Sequence, residues 1–166
     1  MTWKYGDWNR LKNFLNRNKI QNTAIQEFSN AIRRGALLVL RNIRMGIVRQ
    51  RSEWPPLSEI TLRKKAPKTK KLIDTGEMIR SIIAIFPTKL TAEVGIPKGK
   101  QAGNGKTTQI HVYATTQEKG AIIRQNGRTV VIPKRPFIEP GFEESVPTLA
   151  EFNYQAAKNM MDKLIR

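Results

Sequence analysis

The sequence contains no cysteine and only one histidine, His111, among its 166 residues. The absence of cysteine excludes disulfide bonds, thiol nucleophiles and thiolate metal sites. A single histidine excludes the usual histidine-rich metal centres and leaves little for acid–base catalysis. No serine or carboxylate stands near His111 at a catalytic spacing. The sequence therefore predicts a protein that is not an enzyme and that needs no metal or cofactor.

Acidic residues are also scarce, with 13 Asp and Glu against 30 Lys and Arg, which gives a formal net charge of +17. None of the acids form a recognisable cluster, so the sequence offers no support for a two-metal nuclease site. The adjacent Glu143 and Glu144 suit the acidic beginning of a helix. The excess of basic residues predicts a polyanionic partner, which is nucleic acid, an acidic protein surface or an anionic membrane.

Long apolar runs are missing. The longest extends from Ala36 to Leu40 and is far too short to span a membrane. No apolar segment follows a basic one at the N-terminus, so no secretory signal is visible. We therefore expect a soluble protein that is made in a cytoplasm and has no membrane partner. The length favours one domain.

A glycine-rich segment, Gly103 to Thr107, resembles the end of a phosphate-binding P-loop. The full motif needs a glycine five residues before Gly105, but Lys100 stands there. A P-loop must also lead into a helix, whereas the following Thr107, Thr108 and Ile110 favour a strand. We do not expect nucleotide binding here.

Apolar residues at helical spacing predict a long helix over 23–51 and another at the C-terminus, after Pro147. Thr23 and Gln26 have the spacing of a capping box at the beginning of the first helix. The segment Trp54 to Pro56 ends it. A short helix over Glu59 to Lys65 is expected next.

Branched residues between turn signals predict four strands, and the Asn126-Gly127 pair predicts a hairpin turn between the last two. Residues 110–120 are compatible with either a helix or a strand. We therefore expect an α+β domain in which both long helices pack on one face of a mainly antiparallel four-stranded sheet. The expected strands are 81–86, 91–96, 120–123 and 129–132.

We place the single domain over residues 20–166, with an N-terminal segment before it and a flexible loop inside it. Residues 1–19 are aromatic and basic, and they form either a small packed helix or an arm that docks on a neighbouring subunit. Residues 97–107 are rich in glycine and lysine and predict a flexible loop that orders on binding. The residues that we expect to contact another subunit are Trp3, Tyr5, Trp8, Lys98, Lys100 and Lys106.

The densest basic run lies within residues 63–71 and contains no acid. Such runs usually form a solvated loop. The alternative is a contact with DNA or with an acidic partner, which the high overall charge favours. The candidate contact residues are Arg63, Lys64, Lys65, Lys68, Lys70 and Lys71.

Three ordered segments resemble those of the tailed-bacteriophage virion-morphogenesis and tail-completion proteins. The segments are Trp54-Pro55-Pro56-Leu57-Ser58, then Leu72-Ile73-Asp74-Thr75-Gly76-Glu77-Met78-Ile79-Arg80-Ser81-Ile82, then Ile132-Pro133-Lys134-Arg135-Pro136-Phe137-Ile138-Glu139-Pro140-Gly141. The resemblance covers roughly residues 25–165.

Physical reasoning assigns these segments to the scaffold. Asp74, Thr75 and Gly76 form a turn that caps a helix. Pro133 and Pro136 fix the direction of the chain, and Arg135 between them suits a carboxylate partner. Trp54 and Phe137 are the remaining scaffold residues, since Phe137 can anchor the final helix to the core.

The resemblance implies a structural virion protein that forms a ring, often sixfold, at the head–tail junction. Its partners would be other copies of itself, the portal or adaptor, tail proteins, and DNA held without sequence specificity. It implies assembly in the host cytoplasm. The alternative is a basic nucleic-acid-binding phage protein without a ring role, for which the charge of +17 is the main evidence.

Overall fold

A computed structural model of the protein describes residues 8–99, 109–125 and 128–165. Seven helices and four short strands occur within these residues, and the fold is mostly helical. In chain order the elements are α1 (Trp8–Phe14), α2 (Arg17–Arg49), α3 (Glu59–Lys65), α4 (Glu77–Ser81), β1 (Ile83–Thr88), β2 (Thr91–Gly95), α5 (Ile110–Lys119), β3 (Ala121–Gln125), β4 (Arg128–Ile132), α6 (Ile138–Glu143) and α7 (Val146–Ile165).

The long helix α2 organises the fold, since α6, α7, β1 and β2 all contact it. Its buried face carries small and branched side chains at intervals of three or four residues, as an amphipathic helix requires. Glycine and alanine on this face let α7 approach closely. The buried apolar and glycine residues are Ala31, Gly35, Ala36, Val39, Ile43, Gly46 and Ile47.

The beginning of α2 differs from the prediction. We expected a capping box at Thr23, but the helix begins at Arg17. The Asn16 side chain accepts hydrogen bonds from the amides of Asn18 and Lys19, at 3.0 and 3.2 Å, and so caps the helix. Residues 17–22 lack an apolar stripe of their own, so periodicity alone placed the start too late.

The core lies where α2 meets the loops and helices that follow it. Trp54 and Phe137 are 2% and 0% exposed, respectively. These two residues are 83 positions apart in the chain, so the core joins segments that are distant in sequence. The buried core residues are Val39, Ile43, Ile47, Trp54, Leu72, Met78, Ile82, Ile110, Ala114 and Phe137.

The predicted four-stranded sheet is wrong. The four strands form two separate antiparallel pairs, β1 with β2 and β3 with β4. Each hairpin was read correctly from its turn and its branched residues. However, α5 lies between them in the chain and buries Ile110, Ala114 and Gln117. The first hairpin packs on α2, whereas the second does not extend that sheet.

Two local ambiguities are decided by the structure. Residues 110–119 are a helix rather than a strand, and Gly120 follows with a φ of +75°. Pro87 does not end the first strand, because β1 continues to Thr88 with a register irregularity between Ile85 and Thr88. Proline is tolerated there because an irregular edge position needs no amide donor.

A buried carboxylate connects α2 with α7. Glu27 accepts a hydrogen bond from Lys163 Nζ at 2.6 Å and another from Asn159 at 3.4 Å. The Glu27 side chain is 10% exposed, whereas that of Lys163 is 52% exposed. The hydrogen bond from Lys163 is the main reason that the pKa of Glu27 lies below its usual value, and it outweighs the opposing effect of burial.

This pKa shift predicts a pH-dependent stability. A carboxyl group whose pKa is lower in the folded state stabilises the fold above its unfolded pKa, and the contribution is lost as the pH falls through the folded value. We expect Glu27→Gln to reduce the free energy of unfolding by about 1 kcal/mol at pH 7 and by much less at pH 3.

Urea unfolding at both pH values measures this difference. Glu59→Gln is the matched control, because the Glu59 side chain is 89% exposed and its nearest cation, Arg63, is 3.9 Å away. A loss for Glu27→Gln that is equal at both pH values would contradict the assignment of the shift to Glu27.

Candidate functional site

Two of the three ordered segments meet at a junction formed by Trp54 and Arg135. The Trp54 indole donates a hydrogen bond to the carbonyl of Pro136 at 2.8 Å. The Arg135 guanidinium donates to the carbonyls of Pro55 and Pro56 at 3.3 and 3.0 Å. The prolines fix the direction of both segments, so these carbonyls point consistently at their donors.

Arg135 is 5% exposed, and its third partner is the Gln117 side-chain oxygen at 3.3 Å. The expected carboxylate partner is wrong, because the described residues offer this guanidinium carbonyl and amide oxygens at hydrogen-bond distance instead. Burial lowers the pKa of Arg135 from its ordinary value. The side chain nevertheless stays charged, because an arginine pKa starts so high.

The remaining scaffold residues begin α4. Gly76 precedes the helix with a φ of +79°, a left-handed conformation that favours glycine. The hydroxyl of Thr75 accepts a hydrogen bond from the Glu77 amide at 3.4 Å, and Arg80 donates to the Thr75 carbonyl at 3.1 Å. Thr75 and Gly76 thus form the turn before α4, and Asp74 itself is exposed.

Glu118 is a structural residue that the sequence did not reveal. Its carboxylate accepts hydrogen bonds from the amides of Phe137, Ile138 and Glu139 at 2.8, 3.1 and 3.1 Å. A negative charge at a helix N-terminus is favourable. The cap ties α5 to the beginning of α6 across nearly twenty residues, so no local sequence motif could have indicated it.

Three of the six basic residues in the 63–71 run donate hydrogen bonds to backbone carbonyls. Lys65 Nζ donates to the carbonyls of Lys70 and Ile73 at 2.8 and 2.7 Å. Lys68 donates to the Asp74 carbonyl at 3.0 Å, and Lys71 donates to that of Trp54 at 2.7 Å. Burial lowers the pKa of Lys65. These three lysines hold the loop together, although Lys68 is itself exposed.

The other three residues of the run are exposed. Arg63 has an 84% exposed side chain, and Lys64 and Lys70 are also exposed. The long helix α2 adds further exposed arginines, of which Arg33 and Arg34 lie over the rings of Phe86 and Phe152 at 5.4 and 4.3 Å. The exposed arginines of α2 are Arg17, Arg33, Arg34, Arg41 and Arg49.

Two other arginines of this region are engaged internally. Arg44 donates to the carbonyl of Ile82 at 2.7 Å. Arg51, just beyond α2, forms an ion pair with Glu144 at 2.7 Å, and its side chain is only 13% exposed. Glu143 and Glu144 are both exposed and lie at the end of α6, so the expected place at the beginning of a helix is wrong.

The structure describes only part of the expected subunit contacts. Trp8 is 66% exposed on α1, and Lys98 is exposed beyond β2. Leu11 of α1 and Leu15, which follows the helix, are 37% and 60% exposed. Trp3, Tyr5, Lys100 and Lys106 lie outside the described residues, as does the segment 103–107.

The β3–β4 hairpin, residues 121–125 and 128–132, carries apolar side chains that point to solvent. Ile122 and Val131 are paired across the strands and are 67% and 65% exposed. Ile123 and Val130 form the next pair and are 44% and 54% exposed. The branched residues had predicted strands, but their exposure depends on tertiary packing and was not predicted. We call this element the exposed hairpin.

An open apolar groove of about 620 Å³ lies between α2, β2, α6 and α7. Its floor includes Ala36 and Val39, which are buried. Leu90 and Phe142 lie at the groove and are 47% and 51% exposed. We call this feature the apolar groove.

The single histidine and the acidic residues form no metal-binding cluster within the ranges that the structure describes. His111 is half-buried, and its Nδ1 atom has no hydrogen-bond partner there. No group of three or more His, Asp or Glu residues in these ranges is placed to hold a metal ion. Among the described helices, none combines the length and apolar character that crossing a membrane requires.

Comparison of the chain with protein-family models, with curated proteins and with solved structures finds no match.

Proposed function

We propose that this protein is a structural subunit of the bacteriophage head–tail junction. Copies of the chain would form a neck or tail-completion ring that joins the tail to the head and surrounds the DNA passage. The portal or adaptor would lie on one side of the ring, and tail proteins would lie on the other.

The single observation that carries the proposal is that the three ordered segments share one core. Trp54, Leu72 and Phe137, one from each segment, belong to the same buried cluster. The hydrogen bonds from Trp54 and Arg135 also join the first segment to the third. Segments that are far apart in sequence therefore behave as one motif, which supports the resemblance from which the function was inferred.

The charge is consistent with a ring around DNA. Exposed arginine and lysine side chains attract phosphates without reading sequence, which suits a passage through which the genome must move. Lys65, Lys68 and Lys71 are engaged with backbone carbonyls. The stronger candidates are therefore the exposed Arg63, Lys64 and Lys70, together with the exposed arginines of α2.

Imaging of particles tests the proposal. A phage that lacks the gene should produce DNA-filled heads without stable tails, and the wild-type chain supplied in trans should restore complete virions. Phe137→Asp supplies a matched negative control, because a charge at this fully buried core position should prevent folding. Normal virions in the absence of the protein would refute the role.

The second candidate function is nucleic-acid binding without a ring, favoured by the exposed arginines of α2. A salt titration with short duplex DNA separates the two. A dedicated binder should bind tightly, and log K should fall steeply with log salt, by about 0.9 for each phosphate contact. The ring subunit should bind weakly as an isolated chain.

Replacing Arg63, Lys64 and Lys70 together with alanine, against Lys158→Ala as the control, would show whether the 63–71 run contributes to the salt dependence of DNA binding.

A further inference from the structure

The exposed hairpin is poorly stabilised within its own chain. An isolated two-stranded hairpin is only marginally stable in water, and an apolar one with open edges is prone to pair with other chains. Four branched residues, Ile122, Ile123, Val130 and Val131, are each at least 44% exposed. A surface of this kind marks a contact with another protein.

The pairing of the strands determines which side chains lie together. Ile122 lies opposite Val131, and Arg124 lies opposite Thr129, two positions further along the same face. This face thus presents two aliphatic side chains with a cation beside them. Arg124 and Thr129 are both exposed.

The apolar groove has the complementary form. It has a volume of about 620 Å³, and its lining is mainly aliphatic, with Phe142 and Leu149 contributed by α6 and α7. Ile138 and Phe142 lie in the groove, and the adjacent Glu139 and Glu143 are exposed on the same short helix. The groove therefore offers apolar space with carboxylates at its α6 side.

The distribution of charge along the chain supports a match between these two features. Residues 119–135, which include the exposed hairpin, contain five basic residues and no acid. Residues 136–157, which include α6, contain four glutamates and no lysine or arginine. In a chain with a net charge of +17, this is the one long stretch with acids alone. Complementary charges set the register and raise the rate of association.

We infer that the exposed hairpin of one copy docks in the apolar groove of a second copy, with Ile122 and Val131 in the groove and Arg124 beside Glu139 and Glu143. The contact is heterologous, since each copy uses a different surface on each side. Repetition of such a contact closes a ring when the rotation between copies allows it. The inference rests on the proposed function, since it names the contact that would hold the ring together.

Cysteine cross-linking tests the contact directly, because the natural chain has no cysteine. One preparation carries Val131→Cys, and a second carries Phe142→Cys. When the two are mixed and oxidised, a disulfide-linked dimer should form between the different variants. Ile60→Cys on α3, where Ile60 is 69% exposed, replaces Val131→Cys in the control and should give little product. A dimer formed equally well by the control, or none at all, would overturn the inference.

Charge exchange provides an independent measurement by sedimentation. Arg124→Glu should weaken self-association by about tenfold, and Glu139→Arg with Glu143→Arg in the same chain should restore it. Ile122→Asp should abolish self-association, whereas Ile60→Asp, at an equally exposed site, should not. Unchanged association of Ile122→Asp would exclude the hairpin. If rings assemble but no disulfide forms between Val131→Cys and Phe142→Cys, this contact is refuted and the proposed function still stands.

Discussion

Replacing Gly141 with alanine is expected to destabilise the protein by about 3 kcal/mol or more, because α6 crosses α2 with no space for a methyl group. A Cβ at this position would lie 2.6 Å from Ile43 Cγ1, 2.8 Å from Ile43 Cα and 2.9 Å from Ile43 N. Two of these atoms belong to the backbone of α2 and cannot move aside without displacing the helix.

The corner around Gly141 is also fixed by hydrogen bonds. Ser145 is fully buried, and its hydroxyl donates to the Gly141 carbonyl at 2.8 Å. The Asn42 amide of α2 donates to the same hydroxyl oxygen at 2.9 Å. Displacing α6 would break this connection and leave buried polar groups without partners. A shift of α6 away from the added methyl group would therefore also destabilise the fold.

Gly35→Ala is the matched control. It introduces the same methyl group on the buried face of α2, but among the described residues the atom that it meets is Leu149 Cδ2 at 2.6 Å, the end of a flexible side chain. Alanine also gains about 1 kcal/mol of helix propensity over glycine. Urea unfolding should therefore show a change within about 1 kcal/mol for Gly35→Ala. Equal losses for the two variants would contradict the close contact between α6 and α2.

The two long helices and the strand pairs were predicted from the sequence because their signals are local. Apolar spacing identified α2 and α7, and the Asn126-Gly127 turn identified the pairing of the last two strands. The arrangement of the hairpins was not predicted, because local sequence signals do not indicate whether two hairpins pair edge to edge in one sheet. The insertion of α5 into the core decided that, and α5 itself fitted either a helix or a strand.

The partners of the candidate residues were also not predictable from the sequence. A run of lysines looks alike whether the ammonium groups reach solvent or backbone carbonyls, so Lys65 and Lys68 could not be separated from Lys64 and Lys70. Arg135 was identified as important from its position between two prolines, but its partners, the carbonyls of Pro55 and Pro56, lie about 80 residues earlier in the chain. Every residue has a backbone carbonyl, so no sequence pattern identifies which carbonyls accept these hydrogen bonds.

Arg135→Met is the second substitution for which we expect a large effect, a loss of about 2–3 kcal/mol in the free energy of unfolding. Methionine matches much of the aliphatic length of arginine, so the apolar packing is largely kept. The carbonyls of Pro55 and Pro56 and the Gln117 side-chain oxygen lose their donor. Carbonyl groups left unpaired in a buried junction cost free energy that the fold cannot recover elsewhere.

Arg135→Lys tests whether the loss arises from geometry or from charge. Lysine keeps the positive charge but presents one compact ammonium group, which cannot reach three acceptors arranged around a planar fork. If the fork is what joins the segments, Arg135→Lys should lose nearly as much stability as Arg135→Met. If charge alone matters, Arg135→Lys should behave like the wild-type protein.

Arg63→Met is the control for Arg135→Met. Arg63→Met removes an arginine that is 84% exposed and 3.9 Å from its nearest carboxylate, so it should change stability by less than about 0.5 kcal/mol. A loss of 2–3 kcal/mol corresponds to a fall in melting temperature of roughly 4–12 °C for a chain of this size.

Because the Trp54 indole donates to Pro136 in the same junction, Trp54→Phe should show non-additive coupling with Arg135→Met. Additive effects, or an Arg135→Met variant as stable as the wild-type protein, would show that the first and third segments are held together by packing rather than by these hydrogen bonds.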